Sequence, residues 1–164
     1  NVTGVQTCAL PIYTLAMTAE RVLKPLGRSY EIVGLDIDNT ALTKARLGVY
    51  GKWSFREGAR EQAASYIQED GDKWKVRPEI TRHVKFERLN LVEAPPSGTF
   101  HIAFCRNMLM YLTPQHRQAV VDRIAAALTP DGSFFIGSLK FSTVGRTSIM
   151  GRPSASIRVE SCVA

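Results

Sequence analysis

Two apolar runs and one alternating segment in this chain each end at side chains capable of chemistry. Asp36 follows EIVGL, Asn90 and Leu91 close KFERLNL, and Arg106 and Asn107 follow FHIAFC, with Tyr111 a helical turn further on. A carboxylate just beyond a buried strand can accept hydrogen bonds from the two hydroxyls of a ribose. An Asn side chain can both donate to and accept from an adenine edge, and a neighbouring Leu can pack on the base. An Arg presents a planar fork that matches a carboxylate, so the Arg-Asn-Tyr group could hold the acidic end of a cofactor. Each stretch also has a plainer reading. Asp36 could cap a strand end, with Asp38 capping the helix that follows. Asn90 could be a turn former. A buried Arg and Asn would need partners of their own.

The elements that must position these residues are legible from hydrophobic spacing. Leu15, Ala16, Ala19, Val22 and Leu23 recur at helical intervals within Tyr13–Leu23, and Pro25 and Gly27 stop that helix. Tyr30–Leu35 is a short apolar run of the kind found in a buried parallel strand. Asn39 or Thr40 can cap a helix through Ala41, Leu42, Ala45 and Leu47, which Gly48 ends. Residues 49–83 are more polar, carry Trp53, Phe55, Tyr66 and Trp74, and include the turn Glu69–Lys73, so a small hairpin is expected there. Val84–Leu91 alternates as a strand, Ala94–Gly98 is a loop, and Phe100 opens another buried strand. Thr113 and Pro114 form an N-cap and first-turn pair for a helix over Gln115–Leu128. Pro130-Asp131-Gly132 reads as a turn before a last strand, SFFIGSL. Alternating strands and helices argue for an α/β fold, a parallel sheet with helices on both faces. In such a sheet, ligands bind beyond the carboxyl ends of the strands, where the three polar stretches lie.

Composition narrows the possibilities further. The chain has 164 residues, 45% hydrophobic and 22% charged, the profile of one globular domain. Cys8, Cys105 and Cys162 show neither CxxC spacing nor an adjacent His cluster, which argues against a disulfide framework or a zinc site and for a reduced, cytoplasmic setting. His83, His101 and His116 have no metal-type partners at useful spacing, so no metal is expected. Cys105 reads as core, with no basic neighbour to activate it as a thiolate. No apolar run approaches the roughly 20 residues of a membrane helix, and no signal peptide is evident. The net charge of +6 favours an acidic partner, against the plainer reading of a solvated surface.

Both ends differ from the middle. Val2–Ile12, VTGVQTCALPI, resembles the conceptual translation of a sequencing-adapter oligonucleotide, so residues 1–12 are expected to be an artefact and are set aside from fold reasoning. Residues 141–164 are rich in Ser, Arg and Gly, with a short strand conceivable at Ser156–Val159. Loop and strand, flexible tail and out-of-frame translation all remain open for them.

Taken together, the motifs carry a family resemblance. YTLAM, LDIDNTALTKARLGVY, WKVRPEI, VKFERLNL, FHIAFCRNMLMYL and LTPDGSFFIGS are similar in order and spacing to the CheR-type chemotaxis-receptor methyltransferases, over about Tyr13–Gly137. The resemblance implies a partial Rossmann-like, S-adenosylmethionine-dependent methyltransferase domain over 13–140, with a small β-subdomain inserted at about 53–82. It implies methyl transfer to glutamate side chains on the cytoplasmic helices of chemotaxis receptors by a cytoplasmic monomer that neither enters membranes nor binds nucleic acid. By residue, Asp36 would hold the ribose, and Asn90 and Leu91 would contact the adenosine. Arg106 and Asn107 would lie along the methionine part, and Tyr111 near the transferred methyl and the incoming carboxylate.

The departures from the family are as informative. Its Gly-rich cofactor loop would stand where the adapter-like segment is, and its all-helical N-terminal domain, with an arginine implicated in catalysis, does not precede Tyr13. Where relatives read Gly-His-Ser-Glu, this chain reads Gly137-Ser138-Leu139-Lys140. The turn Glu69–Lys73 is short beside members that grip a receptor tail peptide, which argues against dependence on such a tail. The chain by itself is therefore expected to be incomplete and inactive, with weak or undetectable cofactor binding. The alternatives are a methyltransferase acting on a small molecule or RNA, and a non-catalytic binding module.

Overall fold

The computed structural model describes residues 10–51, 54, 59–106, 108–136 and 156–163. Its largest element is a sheet of five parallel strands in the order β5-β1-β8-β6-β7. These strands are β1 (Ser29–Asp36), β5 (Val84–Arg88), β6 (Phe100–Arg106), β7 (Leu128–Ile136) and β8 (Ser156–Val163). In β1, Tyr30 and Ile32 pack in one core cluster while Val33 and Leu35 pack in the other. That alternation follows from side chains leaving a strand on opposite faces, and it means that both faces of the sheet are covered.

On the first face lies α1 (Leu10–Leu23), which buries Ile12, Tyr13, Ala16 and Met17. It approaches β1 closely because residue 34 is glycine. A Cβ there would stand 2.6 Å from Ile12 Cδ1 and 2.8 Å from the Phe86 ring. Leu10–Ile12 thus form the first turn of a helix whose Ile12 is core, although they lie in the adapter-like segment. The Tyr13 hydroxyl donates to Ala45 O at 3.0 Å, and burial pushes its pKa up to about 12, so it stays a donor. The same face carries α2 (Asn39–Leu47). Its N-cap is Asp38, whose carboxylate accepts from Thr40 N–H at 2.7 Å, so neither Asn39 nor Thr40 caps it. Gly48, at φ +62°, closes the other end in the left-handed conformation that glycine adopts without strain.

On the second face α5 (Pro114–Ala126) buries Val120 and Ile124. Thr113 is its N-cap, accepting from His116 N–H, and Pro114 is in its first turn, as the sequence pattern implies. The helix ends at Ala126 and not at Leu128, because Leu128 already pairs with Phe100 as the first residue of β7. The turn expected at Pro130-Asp131-Gly132 takes a different form. Between the pairs Phe100↔Leu128 and Ile102↔Ser133, β7 advances five residues for two on β6. The turn-forming residues are accommodated as a bulge inside the strand. Gly137–Lys140 lie outside the described residues.

The inserted subdomain is a three-stranded antiparallel sheet in the order β2-β4-β3: β2 (Val49–Gly51), β4 (Lys73–Val76) and β3 (Ile67–Asp70). The expected hairpin turns at Gly71, which has φ +62°. Two short helices, α3 (Ala59–Ala63) and α4 (Pro78–Thr81), flank it. The subdomain includes Val49–Gly51, ahead of Trp53, and Trp53 and Phe55 themselves lie outside the described residues. Together, the two sheets make a partial Rossmann-like α/β fold with a small inserted β-subdomain. Among the described residues, no helix is long and apolar enough to cross a membrane.

Candidate functional site

The strand register brings the sequence-selected residues to one edge. Leu35 of β1 and Cys105 of β6 both align with Cys162 of the central strand, and Arg106 aligns with Val163. Asp36 and Arg106, each one residue further on, therefore stand level at the carboxyl end of the sheet, one strand on either side of Val163. At about 4.8 Å per strand they are roughly 10 Å apart across the sheet. Asn90 lies on the far side of β1, two residues beyond Arg88, which aligns with Asp36. These strand ends flank the point where strand order reverses, the place where open α/β sheets bind ligands.

Asp36 is 9% exposed, and its Oδ1 accepts from Asp38 N–H at 2.9 Å. An ionised carboxylate has about four lone-pair sites, so this bond fixes its orientation and leaves capacity for hydroxyl donors. The loop after it is held as well, because Arg88 Nε donates to Ile37 O at 3.1 Å.

Asn90 organises the next loop. Its Oδ1 accepts from Val92 N–H at 3.0 Å, and its backbone carbonyl accepts from Glu93 and Ala94 N–H. The turn-forming reading of Asn90 is therefore realised, and the side chain's amide N–H pair carries what it can offer a base. Leu91 is 4% exposed and packs in the core cluster with Leu35, Phe100 and Ile124. Arg123 of α5 closes the loop from below, donating through Nη1 to Leu91 O at 2.8 Å and to Val92 O.

The third stretch is more open. Arg106 is exposed, Asn107 lies outside the described residues, and Tyr111 is 76% exposed. Tyr111 ends a single 3-10 turn, Leu109–Tyr111, which is anchored by buried Leu109. Arg117 ties that turn to α5, with Nε donating to Leu109 O at 3.1 Å and Nη2 to Leu112 O at 3.2 Å.

Sequence reading passed over Arg88, Arg117 and Arg123, which position the three loops. Their weak signal was the basic surplus itself. Together with Arg46, whose Nη2 donates to Phe86 O at 2.7 Å, they bond backbone carbonyls, so net charge overstates the surface available to an acidic partner. Cys105 is 1% exposed, in the core. His83 stacks on Tyr30, His101 is half-buried in β6, and His116 is exposed. Among the described residues no group of three or more His, Cys, Asp or Glu side chains could hold a metal ion.

Comparison with known proteins gives a consistent result. Residues 11–143 match the family described as CheR methyltransferase, SAM binding domain. The chain is 32% identical over 133 residues to chemotaxis protein methyltransferase Cher2 of Pseudomonas putida, covering 77% of this chain and 48% of the relative. It is 33% identical over 132 residues to chemotaxis protein methyltransferase 1 of Vibrio cholerae, with the same coverage. It is 30% identical over 141 residues to the chemotaxis protein methyltransferase of Escherichia coli, covering 82% of this chain and 49% of the relative. The chain thus spans about half the length of the curated relatives it matches.

Proposed function

This chain belongs to the CheR methyltransferase family, and from that premise we propose that it is the cofactor-binding part of an enzyme that methylates glutamate side chains of chemotaxis receptors. The cofactor of this domain family is S-adenosylmethionine. The residues at the sheet edge suit it: an oriented carboxylate for hydroxyl donors at one flank and a cation for a carboxylate at the other. The observation that carries the proposal is the level placement of Asp36 and Arg106 on either side of the switch point.

In this reading Asp36 accepts from the ribose hydroxyls. Asn90 donates through its amide to the adenine, and Leu91, buried beneath it, anchors the turn that Asn90 opens on the adenosine side. Arg106 and Asn107 pair with the methionine part, and Tyr111 stands beside the acceptor carboxylate. When bound, S-adenosylmethionine supplies an electrophilic methyl group on sulfur. The chain's own residues have little proton transfer to perform, since a glutamate side chain is already ionised near neutral pH. Their contribution is alignment of the two reactants and control of the acceptor's solvation. The methyltransferase domain takes in residues 13–140 together with the turn of α1 that carries Ile12, and its small β-subdomain runs from Val49 to about residue 82. The protein acts in the cytoplasm, as a monomer, on receptor helices and not on nucleic acid. An RNA substrate is disfavoured by the arginines already committed to backbone carbonyls and, among the described residues, by the lack of an aromatic platform.

The test extends the protein to the length of its relatives and measures transfer of labelled methyl from S-adenosylmethionine to receptor. Base-labile label on receptor glutamates is expected. A folded, cofactor-loaded protein that transfers nothing would overturn the proposal.

A further inference from the structure

The centre of the main sheet comes from an unexpected part of the chain. Among the described residues β1 and β6 make no ladder with each other. Ser29–Leu35 pair with Ser156–Cys162, and Ile102–Arg106 pair with Val159–Val163. Without β8 the sheet separates into two two-stranded pieces, β5-β1 and β6-β7. Doubly wound sheets follow the order 3-2-1-4-5, in which the central strand is first in sequence and leads into the glycine-rich turn at the ligand. Here that position holds the last strand in sequence, and it lies beyond the residues that match the family, 11–143. Helix α1, which packs on β1 through Ile12 and Gly34, is the helix that such a sheet would run from its central strand to the neighbouring one.

We propose that the gap between β1 and β6 is a slot for one parallel strand, and that Ser156–Val163 fills it although its composition is not that of a core strand. The walls explain why the slot demands an occupant. Tyr30, Ile32, Val33 and Leu35 on one side and Ala103 and Cys105 on the other are buried. Backbone donors and acceptors left unpaired between them would each carry the cost of a lost hydrogen bond. A parallel strand satisfies both walls at once. The occupant's composition is unusual for a central strand. A strand covered on both faces is ordinarily a near-continuous apolar run, whereas SIRVESCV contains Arg158, Glu160 and two serines and has no glycine. This inference rests on strand pairing and not on the methyltransferase reading. Hydrogen exchange tests the pairing, and cofactor titration tests the methyltransferase reading.

The experiment is hydrogen exchange with mass spectrometry on the 164-residue chain and on its Val159→Pro variant. Val159 aligns with Ile32 and Ile102 together, and proline there removes a ladder donor at the sheet's centre. In the unaltered chain, amides of 156–163 should exchange at least about 100-fold more slowly than in a free peptide of that sequence. In the variant, exchange should accelerate in 30–35 and 102–106 together. Failure of the variant to fold also supports the slot, because a segment outside the sheet could not unfold it. Free-peptide exchange rates for 156–163 in the unaltered chain would overturn the proposal. So would a folded variant with unchanged protection in β1 and β6.

Discussion

Asp36 ends β1 and Tyr111 ends the 3-10 turn that follows β6, on opposite flanks of the central strand, yet one is 9% exposed and the other 76%. On the β1 flank, Asp36 is oriented by Asp38 N–H, the loop behind it is held by Arg88, and the Asn90 turn is closed both by its own side chain and by Arg123. On the β6 flank, Arg106 is open to solvent and Tyr111 rises from one 3-10 turn tied back by Arg117. The difference is one of preorganisation. The flank assigned to the nucleoside is built before a ligand arrives, which lowers the ordering cost of binding. The flank assigned to the methyl acceptor is left open, as it must be if a side chain of another protein is to enter.

Arg123→Ala should do the greater structural damage, since it strips a charged partner from two carbonyls in a half-buried loop. A loss of about 2 kcal/mol is expected, read from the denaturant midpoint. Arg123→Lys should recover part of it, because one ammonium lacks the planar fork. Tyr111→Ala should move stability by less than about 0.5 kcal/mol, as for other exposed positions, and leave cofactor affinity unchanged while methyl transfer falls. Equal destabilisation by the Arg123 and Tyr111 variants would erase the contrast between the flanks.

Local signals made much of this arrangement legible in the sequence. The buried run before Asp36, the Thr113-Pro114 helix start, the Gly48 stop and the Asn90 turn each depend on a few neighbouring residues, and each is present. What escaped depends on distant partners. Pro130-Asp131-Gly132 carries the chemistry of a free turn but is held in β7 as a bulge by pairing with β6. Arg88, Arg117 and Arg123 look like surface charge until the fold brings a carbonyl within reach. The sequence marks only a short strand at Ser156–Val159 where β8 spans Ser156–Val163, because a polar, alternating segment gives no sign that it will lie between two buried strands. The positions of Asp36 and Arg106 at the sheet edge follow from strand ends alone, whereas Leu91 is core because the turn at Asn90 directs it inward.

The most direct test of the account is a calorimetric titration of S-adenosylmethionine into the protein extended to the length of its relatives, compared with its Asp36→Ala variant. Loss of charge-assisted hydrogen bonds to the ribose should raise Kd roughly 10- to 100-fold while the variant stays folded. The same Kd for both proteins would show that the cofactor does not sit at the carboxyl end of β1, and would contradict the site described above.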